Sequence, residues 1–107
     1  MTEITYTKKD VAVKLQNRMD LNLYVAEEMV DGLFSVLREL LMEETAEKVR
    51  IEIRNFGVFE VKPTQAKPKA RNPRTNEVVH VPPRRKTHFK PGKILKEYLK
   101  TPLKSHE

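Results

Sequence analysis

The 107-residue chain has the length of one small domain, contains no cysteine and carries a formal charge of +6. Absence of thiols removes disulfides, thiol chemistry and the usual cysteine zinc clusters, and a core of this size is thin unless something adds to it. Behind the opening MTEITYTKKD there is no apolar run, so neither a signal peptide nor a membrane span is expected, and the reading is of a soluble intracellular protein.

Thr7 followed by Asp10 fits a capping box, which predicts a first helix from Lys8 with Val11, Leu15 and Met19 on one side. A break at 19–22 follows, with Asn22 as the N-cap of a second helix and Leu21 placed to staple onto Ala26. Ala26, Met29, Val30, Leu33, Phe34, Leu37, Leu40 and Leu41 then keep the i, i+3, i+4, i+7 spacing of an amphipathic helix. Leu23, Val25 and Val36 widen that stripe beyond what the short first helix can cover. A second copy of the chain would bury it, and a sheet packed on the helix could bury part of it.

Val49, Ile51 and Ile53 alternate with Arg50, Glu52 and Arg54, and a second run, Val58-Phe59-Glu60-Val61, follows Asn55-Phe56-Gly57. That pattern predicts a hairpin, with Asn55 and Gly57 as the residues that tolerate positive φ. Beyond it the composition changes. Residues 1–61 hold 8 Lys/Arg against 12 Asp/Glu, a net of −4, whereas residues 62–107 hold 13 against 3, a net of +10. Such segregation is the footprint of a nucleic-acid surface on an acidic body, or else of a solvated basic tail.

Residues 62–90 contain five prolines and few large apolar side chains, too few to pack a core. Pro63, Pro68, Pro82 and Pro83 are wrong for a central strand but suit a two-stranded ribbon, in which every strand is an edge. Composition alone also permits disorder. The run Glu77-Val78-Val79-His80-Val81 after the turn-like Asn72-Pro73-Arg74-Thr75-Asn76 favours an extended hairpin. A last helix is expected to open at Pro91 and to carry Ile94, Leu95, Tyr98 and Leu99 on one face. There is no internal repeat, and the chain reads as a single domain.

Three blocks in order, Phe56-Gly57-Val58-Phe59, then Ala70-Arg71-Asn72-Pro73-Arg74-Thr75, then Phe89-Lys90-Pro91-Gly92-Lys93 with Leu95-Lys96, resemble the bacterial HU and integration host factor family. The resemblance covers nearly the whole chain. It implies an α+β fold: two N-terminal helices, an antiparallel hairpin extended into a long β-ribbon arm and a short C-terminal helix, in an intertwined dimer. On that plan residues 1–48 form the helical dimerisation part, 49–61 the hairpin saddle, 62–88 the DNA-binding arm and 89–107 the C-terminal helix and tail. The implied partner is double-stranded DNA, bound in the minor groove and bent, in the nucleoid of the bacterial cytoplasm. A homodimer is expected, with a heterodimer of two related chains open.

By position in the family pattern, Pro73 is the intercalating wedge, and Arg71, Asn72, Arg74 and Thr75 form the arm tip in the minor groove. The chemistry of these residues is consistent with that place. A proline ring is rigid and apolar and enters an opened base step without losing side-chain entropy, and an arginine suits the negative potential of a narrow groove. Read without the family, Arg71-Asn72-Pro73 is an exposed turn. Lys62, Lys67, Lys69, Arg84, Arg85, Lys86, Lys90 and Lys93 are the expected phosphate contacts, which position without specifying sequence, or else a solubilising surface. Leu33, Phe34, Leu37, Phe56, Phe59 and Phe89 are the expected dimer core.

Asn55 and Ala70 stand where the family commonly has glycine, and the stretch leading to Arg71 is one residue longer than in common forms. An extra residue in an antiparallel ribbon demands a bulge, and Pro63 near the arm root is the place expected for it. His80, His88 and His106 lack ligand spacing, so no metal is expected. Glu27-Glu28 and Glu43-Glu44 read as solvated charge, and with three glycines there is no phosphate loop or nucleophile elbow. No cofactor, small-molecule substrate or enzymatic activity is expected. The function expected is architectural, with low sequence specificity. A sequence-preferring bender of the integration host factor kind is the alternative, and a basic RNA-binding protein a more distant one.

Overall fold

The structure, a computed structural model, describes residues 2–65 and 67–103, and for residues 67–70, 80 and 81 the backbone alone. The fold is α+β, with three helices, a three-stranded antiparallel sheet and a two-stranded ribbon among the described residues. The chain packs as two compact units, Met1–Met42 and Glu43–Glu107.

The first unit holds helices α1 (Lys8–Met19) and α2 (Leu23–Leu41). The capping box forms as its sequence demands: the Asp10 amide donates to Thr7 Oγ1, and the Asp10 carboxylate accepts from the Thr7 amide at 2.8 Å. The Thr7 amide foremost, and then the Thr7 hydroxyl donating at 2.9 Å, hold the Asp10 carboxyl below the usual carboxylate range. Asp20, with φ of 53°, ends α1 in the left-handed region. Asn22 Oδ1 then accepts the Tyr24 amide at 2.7 Å and caps α2. Ala12, Ala26 and Val30 are buried between the helices, with Leu15 and Leu21 packed against them. Lys8 Nζ lies 2.6 Å from Asp31 Oδ1 on the surface. No helix among the described residues is long and apolar enough to cross a membrane.

α1 covers only part of the apolar stripe of α2. Met29, Leu33, Phe34, Val36 and Leu40 all stay exposed, Leu33 at 56%. The over-wide stripe read from the sequence is therefore present as a surface.

The second unit begins with β1 (Val49–Ile53), β2 (Gly57–Pro63), β3 (Lys67–Arg71), β4 (Val78–Val81) and β5 (Arg85–Pro91), followed by α3 (Lys93–Leu99). β2 is the centre of the sheet, paired with β1 and β5. The turn between β1 and β2 has the Phe56 amide donating to the Ile53 carbonyl at 3.0 Å, with Asn55 at φ of 67°. Gly57 serves a purpose other than the one expected of it, because its φ is not positive. A Cβ there would lie 2.5 Å from the Lys90 carbonyl and 2.7 Å from the Phe89 ring, so glycine is what lets β5 cross close by.

Pro91 and Pro63 both depart from expectation. Pro91 does not open the last helix: it pairs with Gly57 as the end of β5, so that Phe89, Lys90 and Pro91 are strand and Gly92 is the N-cap. The Gly92 amide donates to the Phe56 carbonyl at 2.8 Å, which holds the strand end down before α3 starts. Nor does the bulge lie at Pro63. One register runs from Gly57↔Pro91 through Pro63↔Arg85 to Lys67↔Val81, and shifts only before Ala70↔Val79. Pro63 is tolerated because pairing with β1 ends at Val61. The Thr64 amide donates to the Arg84 carbonyl, so the nitrogen of Pro63 points the other way, to the open edge, where no donor is needed.

Candidate nucleic-acid interface

Alternation along β-strands sorts the second unit into two sides. One carries Val49, Ile51, Ile53, Phe59, Val61 and Phe89, the apolar side, where Phe59 and Phe89 ring centroids lie 4.8 Å apart and Phe56 and Phe89 5.4 Å. The other carries Arg50, Glu52, Val58, Glu60, Lys62, Lys86, His88 and Lys90. Lys62 stands directly opposite Lys86, an arrangement of like charges that disfavours the pair unless an anion approaches. Thr64 and Arg84 continue that side, Thr64 Oγ1 accepting the Arg84 amide at 2.9 Å. Beyond the bulge Arg71 pairs with Val78 at the end of the ribbon.

Glu60 is the single buried charged residue among the described ones, at 3% exposure, yet it belongs to the basic side. The side chains of Lys62, Lys90 and Arg50 close over it: Lys62 Nζ is 3.0 Å from Oε2, Lys90 Nζ 3.2 Å from Oε1 and Arg50 Nη1 3.7 Å from Oε1. The hydrogen bond from Lys62, then that from Lys90, holds the Glu60 carboxyl below the usual carboxylate range against the opposing effect of burial. Sequence reading passed over both Glu60 and Arg50. The signal was there, since an acid two residues before Lys62 on a strand must share its side.

Arg85 departs from its expected place. It falls on the side opposite Lys62 and Lys86, where Nη1 donates to the carbonyls of Glu43, at 2.5 Å, and Ala46, at 3.4 Å. Its guanidinium thus ties the arm root to the segment before β1. Lys93 is the first residue of α3 and not part of the strand row on β2 and β5. The side chains of Lys67 and Lys69, expected as phosphate contacts, lie outside the described residues, as do His106 and the side chain of His80.

At the tip the chain turns through Asn72-Pro73-Arg74-Thr75-Asn76. The Asn72 amide donates to the Glu77 carbonyl at 2.7 Å, and the Asn76 amide donates to the Asn72 carbonyl at 2.7 Å. Asn72 Oδ1 accepts the Arg74 amide at 2.9 Å, bridging over Pro73, which is exposed at the apex. Thr75 Oγ1 accepts the Glu77 amide at 3.4 Å. Asn76 has φ of 62°, and its Oδ1 accepts from Arg71 Nη1 at 3.2 Å. The expected tip residues are therefore brought together, and Asn76 joins them unforeseen.

Residues 6–100 match the family model described as bacterial DNA-binding protein. Integration host factor subunit alpha of Pasteurella multocida (strain Pm70) is 39% identical over 93 residues, covering 87% of this chain and 90% of the relative. The protein of the same name from Stenotrophomonas maltophilia (strain K279a) is 36% identical over 91 residues, covering 85% and 87%. An Anabaena HU–DNA cocrystal structure superposes with a TM-score of 0.76 at 22% identity, covering 91% of this chain and all of that one, a likeness of fold. Match and architecture agree from the first helix to the last, and the chain belongs to the bacterial DNA-binding protein family of HU and integration host factor.

Proposed function

We propose that this chain is an architectural DNA-binding protein that lays its β-ribbon arm along the minor groove and bends the duplex by inserting Pro73, with low sequence specificity. The observation that carries the reading is the cationic row Lys62, Arg84, Lys86 and Lys90 on one side of the strands, leading to a tip where Arg71 stands beside an exposed proline on a braced turn. Cations in a row bind backbone phosphates and release counterions, which fixes position without reading sequence. A rigid apolar apex fills an opened base step, offsetting the cost of unstacking if the bent duplex then meets more protein.

The working form is a dimer. Its support is the exposed stripe Met29, Leu33, Phe34, Val36 and Leu40, which is larger than a monomer of this size keeps in water. A sequence-preferring bender, reading deformability in place of base edges, is the second reading. It is favoured by the name of the relatives, integration host factor subunit alpha, which describes a subunit and so also favours a paired partner chain. Binding measured side by side on linear, nicked, prebent and RNA duplexes at two salt concentrations separates these readings. Tightest binding to nicked and prebent DNA of any sequence supports the first, and dependence on DNA sequence the second. Equal affinity for RNA overturns both.

A further inference from the structure

We propose that Asn76 is a positioning residue for Arg71, holding its guanidinium at the arm tip in the direction in which it enters the groove. The inference rests on the reading of the tip given under Proposed function. Position 76 needs the left-handed region, with φ of 62°, and glycine would take that conformation with less strain than asparagine. Asparagine adds one thing glycine lacks, an amide in reach of the guanidinium. Arginine has only donors, so the Asn76 atom facing Nη1 at 3.2 Å must be the carbonyl oxygen. The contact spans the turn, whose backbone is braced by the Asn72 amide on the Glu77 carbonyl and the Asn76 amide on the Asn72 carbonyl.

Charge and geometry both suit a dock of this kind. Asn76 occupies one of five guanidinium N–H donors and leaves the others for the O2 and N3 acceptors of the minor groove. Being neutral, it holds Arg71 without cancelling the charge that the groove attracts, as a carboxylate in the same place would. A long exposed side chain that is already ordered loses less freedom on binding, and that difference appears as affinity.

The test is a double-mutant cycle on the full-length protein with Asn76→Gly, Arg71→Ala and both together, read by fluorescence anisotropy on nicked and intact DNA duplexes, with thermal melting of each variant. Asn76→Gly keeps the turn, so its melting temperature should match the parent, while binding weakens about two- to tenfold per arm, the worth of one hydrogen bond. In the Arg71→Ala background the same substitution should change nothing. Asn76→Asp should weaken binding at least as much, because it holds Arg71 as a neutral pair. An equal loss from Asn76→Gly in both backgrounds overturns the inference, as does tighter binding by Asn76→Asp. So does parent-like binding by Asn76→Gly while Arg71→Ala weakens it, and in that case the tip reading stands. Parent-like binding by Arg71→Ala overturns the tip reading and this inference together.

Discussion

Lys86→Gln removes one charge from the cationic row and leaves the strand pairing and most of the side-chain stem in place. On the structure it has two consequences of opposite sign. Lys86 faces Lys62 across the β2–β5 pair, and Lys62 already has Glu60 as a partner at 3.0 Å whereas Lys86 has no such contact among the described residues. Removing Lys86 therefore relieves repulsion in the free protein, and its melting temperature should be no lower than that of the parent. DNA binding should weaken, because a phosphate contact is lost. Each lost contact lowers the slope of log K against log salt by about 0.9, so a dimer with two copies loses about 1.8. Between about 50 mM and about 200 mM salt the deficit of the variant should then shrink about 3.5-fold per contact, or about twelvefold for the dimer. Anisotropy titrations at four salt concentrations give both slopes. An unchanged slope, or a lower melting temperature with parent-like binding, would show that Lys86 serves the sheet and not the ligand.

Pro73→Ala deletes no charge, so affinity for straight DNA should be nearly kept while bending and the preference for nicked duplexes are lost; energy transfer between labelled DNA ends reads this, and an unchanged end-to-end distance would reduce Pro73 to a turn former. Phe34→Ala discriminates oligomeric states by size of effect: covered by a second copy, the ring is core, and its truncation costs about 3–5 kcal/mol and lowers stability and association together. Left exposed on a monomer it would cost within about 0.5 kcal/mol, which denaturant unfolding at several protein concentrations distinguishes. Asp10, Asp31, Glu43 and Glu60 are all held below the usual carboxylate range, Asp31 chiefly by its hydrogen bond from Lys8 and Glu43 by that from Thr45. Their stabilisation is thus fully present above the unfolded-state values near 4 and is lost as pH falls through the lowered ones. Melting temperature should fall with acidification below that point, and Glu60→Gln should flatten the decline.

The helical unit was legible because its signals are local. A capping box, an N-cap asparagine and a 3.6-residue stripe lie within a few residues of each other, and each reappears at its expected atoms. The hairpin and the tip were legible for the same reason. What the sequence hid depends on pairing between residues far apart in the chain. Pro91 looked like a helix opener because proline suits a first turn, and only the approach of β5 to Gly57 makes it a strand end. Gly57 looked like a turn glycine because its neighbour Asn55 is one, whereas its reason is a carbonyl 33 residues away in sequence, on Lys90. Arg85 looked like one more cation in a run, and strand parity alone turns it away from Lys86 to the carbonyls of Glu43 and Ala46.

Parity also explains why an extra residue in the arm is more than added length. Along a paired ribbon every side chain's direction follows from its position, so a strand with one residue too many must present the wrong side beyond the irregularity. From Gly57 to Pro63 the ascending strand puts even-numbered residues on the cationic side, among them Glu60 and Lys62. Arg71 is odd-numbered and in that frame would face away from Lys86. The register shift before Ala70 changes that frame, pairing Arg71 with Val78 where the unshifted register would set it opposite Glu77. A shift at Pro63, by contrast, would have disturbed the Thr64–Arg84 hydrogen bonds at the root. Placed past the root and before the tip, the bulge leaves the row on the sheet intact and reorients only the residues nearest the apex.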